Sequence, residues 1–171
     1  QSGLFINGKK GYYDRFRNRI MFPISDRNDK IIAFGGRVFD TDDPAKYINS
    51  SETPIYNKSG IFYGLSKTKK FLSKENTAIV VEGYLDLIQL FQNGIQNVVA
   101  VSGTSFTDKH AMELNKYVKT VKIAYDGDSA GKNAAIRAGY VLLKNGFSPE
   151  VIPIPDGKDP DDWIQKNGPE P

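Results

Sequence analysis

"VKIAYDGDSAGKNAAIRAGYVLLKNG", residues 121–146, decides the fold. The apolar run VKIAY has the composition of a buried strand and stops at Asp126. Beyond Asp128 an alanine-rich segment with helical spacing continues to Gly146, a residue type favoured at helix ends. The same unit repeats on either side. AIVVEGY reads as a strand and LDLIQLFQNG as a helix closed by Gly94. NVVAVSG is a second strand, TDKHAMELNKY a helix with Thr107 as its cap, and EVIPIP a strand after the quoted helix. Strands and helices alternating on short connections require right-handed crossovers and a parallel sheet. The expectation is an α/β layer of four parallel strands with flanking helices.

Composition narrows the chemistry. With 171 residues, 39% hydrophobic and 25% charged, the chain can bury a core of ordinary size as one or two domains, and disorder is not expected. No apolar run reaches the roughly 18 to 20 residues of a membrane helix, and the start has no signal-peptide pattern. No membrane contact and a cytoplasmic location are therefore expected. Gln1 and the ending GPEP read as the limits of an excised fragment. The absence of cysteine rules out disulfides and thiolate zinc sites, and the single histidine, His110, cannot build an imidazole site alone. A metal here would be bound by oxygen. Residues 1–70 carry 13 Lys/Arg against 7 Asp/Glu, whereas residues 71–171 carry 10 against 13. A basic half beside an acidic half suits a polyanion on one and a cation on the other, although solvated surface produces such imbalance too.

The first 65 residues follow a different pattern. RIMFPI and KIIAFGGRVF form a hairpin across SDRND, and this part is β-rich. The polar stretch DDPAKYINSSETPIYNKSGIFYG reads as an ordered loop or short elements, and LSKTKKFL as a helix linking the halves. If YDRFRNRIMFPI is extended, Arg15, Arg17 and Arg19 project from one face. That face is a phosphate track or, equally, a charged edge strand. Lys46, Asn49 and Lys58 lie among Tyr47, Ser50, Thr53 and Tyr56, a set rich in hydrogen-bonding groups.

In a parallel sheet, residues that close different strands become neighbours at one edge. Glu82 closes the first strand, Asp126 and Asp128 the third, and the DGKDPDD loop follows the fourth. Two unit charges about 4 Å apart repel by on the order of 4 kcal/mol at an effective dielectric near 20. A divalent cation offsets that, and carboxylates without sulfur or imidazole suit Mg2+ or Mn2+. Gly127 leaves room for Asp126 and Asp128 to face one ion. Bland readings stand beside this one. Asp128 and Asp159 each fit as helix caps, with Pro160 in the first turn after Asp159, and Asp86 fits as an ordinary first-turn acid.

Together these motifs resemble the RNA polymerase core of bacterial DNA primases of the DnaG type. EGYLD, YDGDSAG and DGKDPDD resemble the three acidic motifs of the TOPRIM fold, while RFRNRIMFPI, GGRV and KYINSSET resemble the basic motifs that precede it in primases. The resemblance spans nearly the whole chain and implies a TOPRIM subdomain over 71–171, truncated at its C-terminus, after the basic β-rich part of the N-terminal subdomain over 1–70. It implies metal-dependent synthesis of RNA primers on a single-stranded DNA template from ribonucleoside triphosphates. By the same resemblance Glu82, Asp126, Asp128, Asp159 and Asp161 would hold Mg2+ or Mn2+, with Asp86 nearby. Glu82, Asp126 and Asp128 would be catalytic, Glu82 as ligand or as general acid/base. Arg17, Arg19, Lys46, Asn49 and Lys58 would line the groove for template and nucleotide, joined by Arg15, with Tyr84 inside the first acidic motif. The zinc module is missing, as is the C-terminal region that meets the replicative helicase. Ser129 stands where many primases carry arginine. The rivals are a D-x-D phosphohydrolase, disfavoured because the pair follows the third strand, another TOPRIM enzyme such as a nuclease or topoisomerase, and a non-catalytic TOPRIM binding module.

Overall fold

The structure, a computed structural model, describes residues 3–39 and 44–168. Asp42 and Asp43, which open the polar stretch, and most of the GPEP ending lie outside them. The chain divides into two compact units between Asn57 and Lys58.

The first unit is β-rich. Strands β1 (Phe5–Gly8) and β2 (Gly11–Asp14) pair as an antiparallel hairpin, and β3 (Arg19–Ser25), β4 (Ile31–Val38) and β5 (Tyr47–Asn49) form a three-stranded antiparallel sheet in that order. The β3–β4 hairpin is where the sequence puts it. Its turn is held by the Asp26 carboxylate, which accepts the backbone N–H groups of Asn28 (2.8 Å) and Lys30 (3.0 Å), with Asp29 left-handed at φ 67°. One expectation needs correction. Residues 15–18 are a turn rather than extended chain, so the arginines at 15, 17 and 19 do not share a strand face. The cause is local: the Asp14 carboxylate accepts the Phe16 N–H at 2.7 Å, Phe16 is buried, and Asn18 turns the chain at φ 52°. An ideal Cβ on Gly36 would stand 2.8 Å from the Phe16 ring and 3.2 Å from Arg19 Cδ. The second glycine of GGRV thus makes room for this turn.

The second unit is the expected α/β layer. Helix α1 (Leu65–Glu75) precedes β6 (Thr77–Val81), α2 (Tyr84–Gln92), β7 (Val98–Ala100), α3 (Asp108–Leu114), β8 (Thr120–Ile123), α4 (Ser129–Lys144), β9 (Ser148–Val151) and α5 (Pro160–Asn167). The four strands run parallel in the order β7-β6-β8-β9. Parallel sheets need cover on both faces, and alternate residues divide between two cores. Ala78, Val80, Val121 and Ile123 pack with Leu65 and Leu72 of α1, Leu114 of α3, and Ala138 and Leu142 of α4. Val81, Val98, Ala100 and Ala124 pack with Leu87 and Leu90 of α2 and Ile164 of α5. The last strand begins and ends earlier than EVIPIP suggests. Pro149 is tolerated because β9 lies at the sheet edge, and Pro153 and Pro155 have no N–H with which to prolong it.

His110 is fully buried in the first of these cores, with its ring 4.6 Å from that of Phe62. Thr107 caps α3 through the His110 N–H (3.3 Å), and the imidazole Nε2 lies 3.3 Å from the Ile61 carbonyl. Burial lowers its pKa to about 4, partly opposed by backbone hydrogen bonds at Ile61 and Lys58. An unfolded histidine takes up its proton near pH 6.5, so between about pH 4 and 6.5 the unfolded chain binds more protons and acid removes stability. Over that window His110 is expected to contribute a loss on the order of 3 kcal/mol as pH falls. Urea unfolding of wild type and His110→Gln at several pH values checks this, the variant having the shallower dependence on acid.

Candidate functional site

The acidic side chains are placed near the C-terminal edge of the β7-β6-β8-β9 sheet by strand ends, a first helical turn and helix caps. Glu82 directly follows β6 and is half-buried, and its Oε1 accepts the Asp126 N–H at 3.4 Å across from the end of β8. The neighbouring residue of the β7 connection, Ser102, is left-handed at φ 51° and donates its N–H to the Glu82 carbonyl at 2.8 Å. Asp86 sits in the first turn of α2, only 7% exposed, and its Oδ2 accepts the Gly83 N–H at 2.8 Å. Asp128 caps α4 by accepting the Gly131 N–H at 2.7 Å, and Asp159 caps α5 by accepting the Asp162 N–H at 2.7 Å. The capping readings of both aspartates therefore hold. They do not exclude a second use, since a carboxylate has further lone pairs.

Two glycines make the approach possible. An ideal Cβ on Gly127 would fall 2.0 Å from the Pro155 carbonyl oxygen, and one on Gly131 2.2 Å from that of Asp126. Gly127 also donates its N–H to the Lys158 carbonyl at 2.8 Å, which pins the DGKDPDD loop beside the Asp126–Asp128 turn. Sequence reasoning assigned Gly127 the task of letting the backbone turn, so that Asp126 and Asp128 can face one ion. The structure shows that the space it clears holds a backbone carbonyl.

The charges register one another. Burial raises the pKa of Glu82, and the charges of Asp126 and Asp128 raise it further, against the lowering effects of the Asp126 N–H and Arg137. Burial pushes Asp86 up to about 7, opposed by the Gly83 N–H and assisted by the charges of Asp126 and Asp159, while the backbone at Asp161 hydrogen-bonds to it and lowers it. The charges of Asp126, Asp128 and Asp159 are thus felt at Glu82 or Asp86. The Asp161 side chain instead accepts Gln165 Nε2 at 2.5 Å along its own helix. Among the described residues no group of three acids is close enough to form a ready-made cage. The donor set is nevertheless all carboxylate with repulsion only partly offset, the chemistry that fits a hard divalent ion keeping much of its water. Arg137 is the participant that sequence reading missed. Its signal was the helical spacing after the Asp128 cap, which brings its charge to bear on Glu82.

The basic residues of the first unit hold backbone as well as presenting charge. Arg15 Nε donates to the Asn49 carbonyl (3.0 Å), Arg19 Nη1 to the Ala45 carbonyl (2.8 Å), and the Arg17 guanidinium lies 4.9 Å from the centre of the Tyr13 ring. Lys46 is exposed just before β5, and Arg37, also missed, lies 5.7 Å over the Tyr47 ring. Lys58 begins a 3-10 turn in the second unit. Tyr84 is 2% exposed and packs edge-on to Tyr63 at 4.7 Å, so its ring serves the core in this structure.

Known proteins share this architecture. Residues 1–69 match the family described as the N-terminal domain of the DNA primase catalytic core, and residues 79–164 match the Toprim-like family. The chain is 48% identical to a DNA primase of Clostridium acetobutylicum, over 99% of this chain and 28% of that protein. It is 46% identical to one of Listeria monocytogenes, over 92% and 25%. The chain therefore spans little more than a quarter of the length of these relatives. Among solved structures, the zinc-binding and RNA polymerase domains of the Aquifex aeolicus primase superpose with a TM-score of 0.91 at 40% identity, covering 98% of this chain and 42% of that one. A DnaG primase catalytic domain bound to ssDNA superposes with a TM-score of 0.88 at 41% identity, covering 98% and 53%.

Two measurements test this site as a physical object. Gly139 of α4 has nothing within 4 Å of an ideal Cβ, whereas Gly131 of the same helix does. Gly139→Ala should stabilise by up to about 1 kcal/mol, and Gly131→Ala and Gly127→Ala should destabilise by about 1–3 kcal/mol or more, read from urea midpoints. Separately, Asp86 binds its proton more tightly folded than unfolded, so metal-free stability falls as pH rises from about 4 through 7. Asp86→Asn should remove that component, giving a higher melting temperature than wild type above pH 7 without divalent ions.

Proposed function

The chain belongs to the DnaG-type bacterial DNA primases, within whose catalytic core it lies, and from that premise we propose that it carries the primer-synthesising centre: DNA-templated joining of ribonucleotides by divalent-metal-dependent nucleotidyl transfer. The observation that supports this most is the Glu82 carboxylate accepting the Asp126 N–H, with both acids in mutual repulsion at the sheet edge. In this reading residues 1–70 are the basic part of the N-terminal subdomain and residues 71–171 the Toprim subdomain.

Glu82, Asp126 and Asp128 hold Mg2+ or Mn2+ together with Asp86 and Asp159, Asp161 serving at the margin. When bound, the ion lowers the pKa of a 3′-hydroxyl and offsets charge developing on the α-phosphate and the pyrophosphate leaving group. The protein's own part is to hold carboxylates on two rigid strand ends and three helix starts, so that little reorganisation is needed as charge moves. Arg15, Arg17, Arg19, Lys46, Asn49 and Lys58 hold the single-stranded template and the triphosphate through charge-assisted bonds to phosphate. Such contacts are blind to sequence. A non-catalytic module would leave the buried charge of Asp86 without a purpose, since each raised carboxylate destabilises the metal-free fold.

In the full-length protein Asp126→Ala is expected to lower primer synthesis by about a hundredfold or more while leaving single-stranded DNA affinity near wild type. Primer synthesis that survives would leave only a binding module. Template affinity should fall linearly on a log–log plot against salt, and Arg17→Ala should reduce that slope by about 0.7, as one lost phosphate contact requires.

A further inference from the structure

Packing does not account for the phenol of Tyr125. Its residue follows β8 and is 5% exposed, inside the core that contains Val80 and Ile123. Its hydroxyl oxygen is buried and has no hydrogen-bond partner among the described residues. A phenylalanine would fill that volume without stranding a polar atom, and buried hydroxyls without partners are rare because desolvation is left uncompensated.

Register shows what lies beside it. Val80 and Ile123 are paired across β6 and β8. Two residues beyond that pair, just past the ends of β6 and β8, stand Glu82 and Tyr125, and Tyr125 packs in the core that holds Val80 and Ile123. The charge of Glu82 is, after burial, the cause that holds the Tyr125 hydroxyl above the ordinary phenol range. Glu82 Oε1 already accepts the N–H of the next residue, Asp126, at a long 3.4 Å. The Asp126 N–H is thus bound to Glu82, while the hydroxyl of the residue before it feels the Glu82 charge and has no partner.

We propose that Tyr125 is a positioning residue for Glu82, its hydroxyl donating to the Glu82 carboxylate and fixing the direction in which that carboxylate presents its free oxygen. The donation satisfies the stranded hydroxyl and leaves Glu82 with a lone pair aimed at the cation. Tyr125 touches neither substrate nor ion. Its part is that of the outer partners that orient metal ligands, and it rests on the reading of the acidic cluster given above.

The test is Tyr125→Phe in the full-length protein, measured in three ways. Mn2+ binding is followed by electron paramagnetic resonance without nucleotide or DNA, melting temperature by calorimetry, and primer synthesis as kcat and KM. The expected result is Mn2+ affinity and kcat each reduced about tenfold, KM for nucleotide within about twofold of wild type, and a melting temperature equal to or above it. Wild-type Mn2+ affinity with wild-type kcat would overturn the proposal, since the hydroxyl would then be satisfied by enclosed water. A lowered melting temperature with normal Mn2+ affinity would overturn it too, as a packing role. Asp126→Ala in the same series separates the levels. If it is inactive while Tyr125→Phe behaves as wild type, only the role of Tyr125 falls; if it retains primer synthesis, the reading of the cluster falls and this inference with it.

Discussion

Mutual repulsion among carboxylates at one sheet edge is the constraint around which this chain is built. The parallel β7-β6-β8-β9 sheet delivers Glu82 and the Asp126–Asp128 turn to the same end, and helices α2 and α5 add Asp86 and Asp159. No cysteine and no second histidine is available to share the load. The fold tolerates the cluster by spending part of four of these acids on backbone donors. Gly83 serves Asp86, Gly131 serves Asp128, Asp162 serves Asp159, and Asp126 serves Glu82. What these bonds leave uncompensated is the quantity available for binding a cation.

The second unit was legible in the sequence because its signals are redundant. Strand ends, helix caps and glycine stops agree from Thr77 to Asn167 apart from the displaced last strand, and the acidic motifs fall at the boundaries those signals mark. Topology then did what spacing alone could not, by making neighbours of residues 44 apart such as Glu82 and Asp126. The site was less legible in its directions. Periodicity places a carboxylate at an edge but does not say that Asp161 turns along its helix to Gln165, or that the Tyr84 ring enters the core. Arg137 and Tyr125 escaped notice because one reads as an ordinary helix-surface cation and the other as an ordinary core aromatic.

The first unit shows why alternation is a weaker guide than capping chemistry. Arg15, Arg17 and Arg19 alternate with Phe16 and Asn18 as a strand would, yet the Asp14 carboxylate and the left-handed Asn18 make a turn of the same residues. The arginines consequently gain distinct roles, Arg15 and Arg19 bracing the backbone at Asn49 and Ala45 while Arg17 lies against Tyr13. A guanidinium braced at one nitrogen keeps its remaining donors in a fixed fan, which limits the entropy lost on gripping a phosphate.

The close approach of the Pro155 carbonyl to Gly127 bears on how this region can drift over generations. Position 127 admits no side chain at all, whatever reaction the neighbouring aspartates perform. A lineage that abandoned the chemistry could replace Asp126, and Asp128 by another helix-capping residue, and would still be obliged to keep the glycine between them, so intolerance at 127 reports on chain geometry and variation at 126 reports on use.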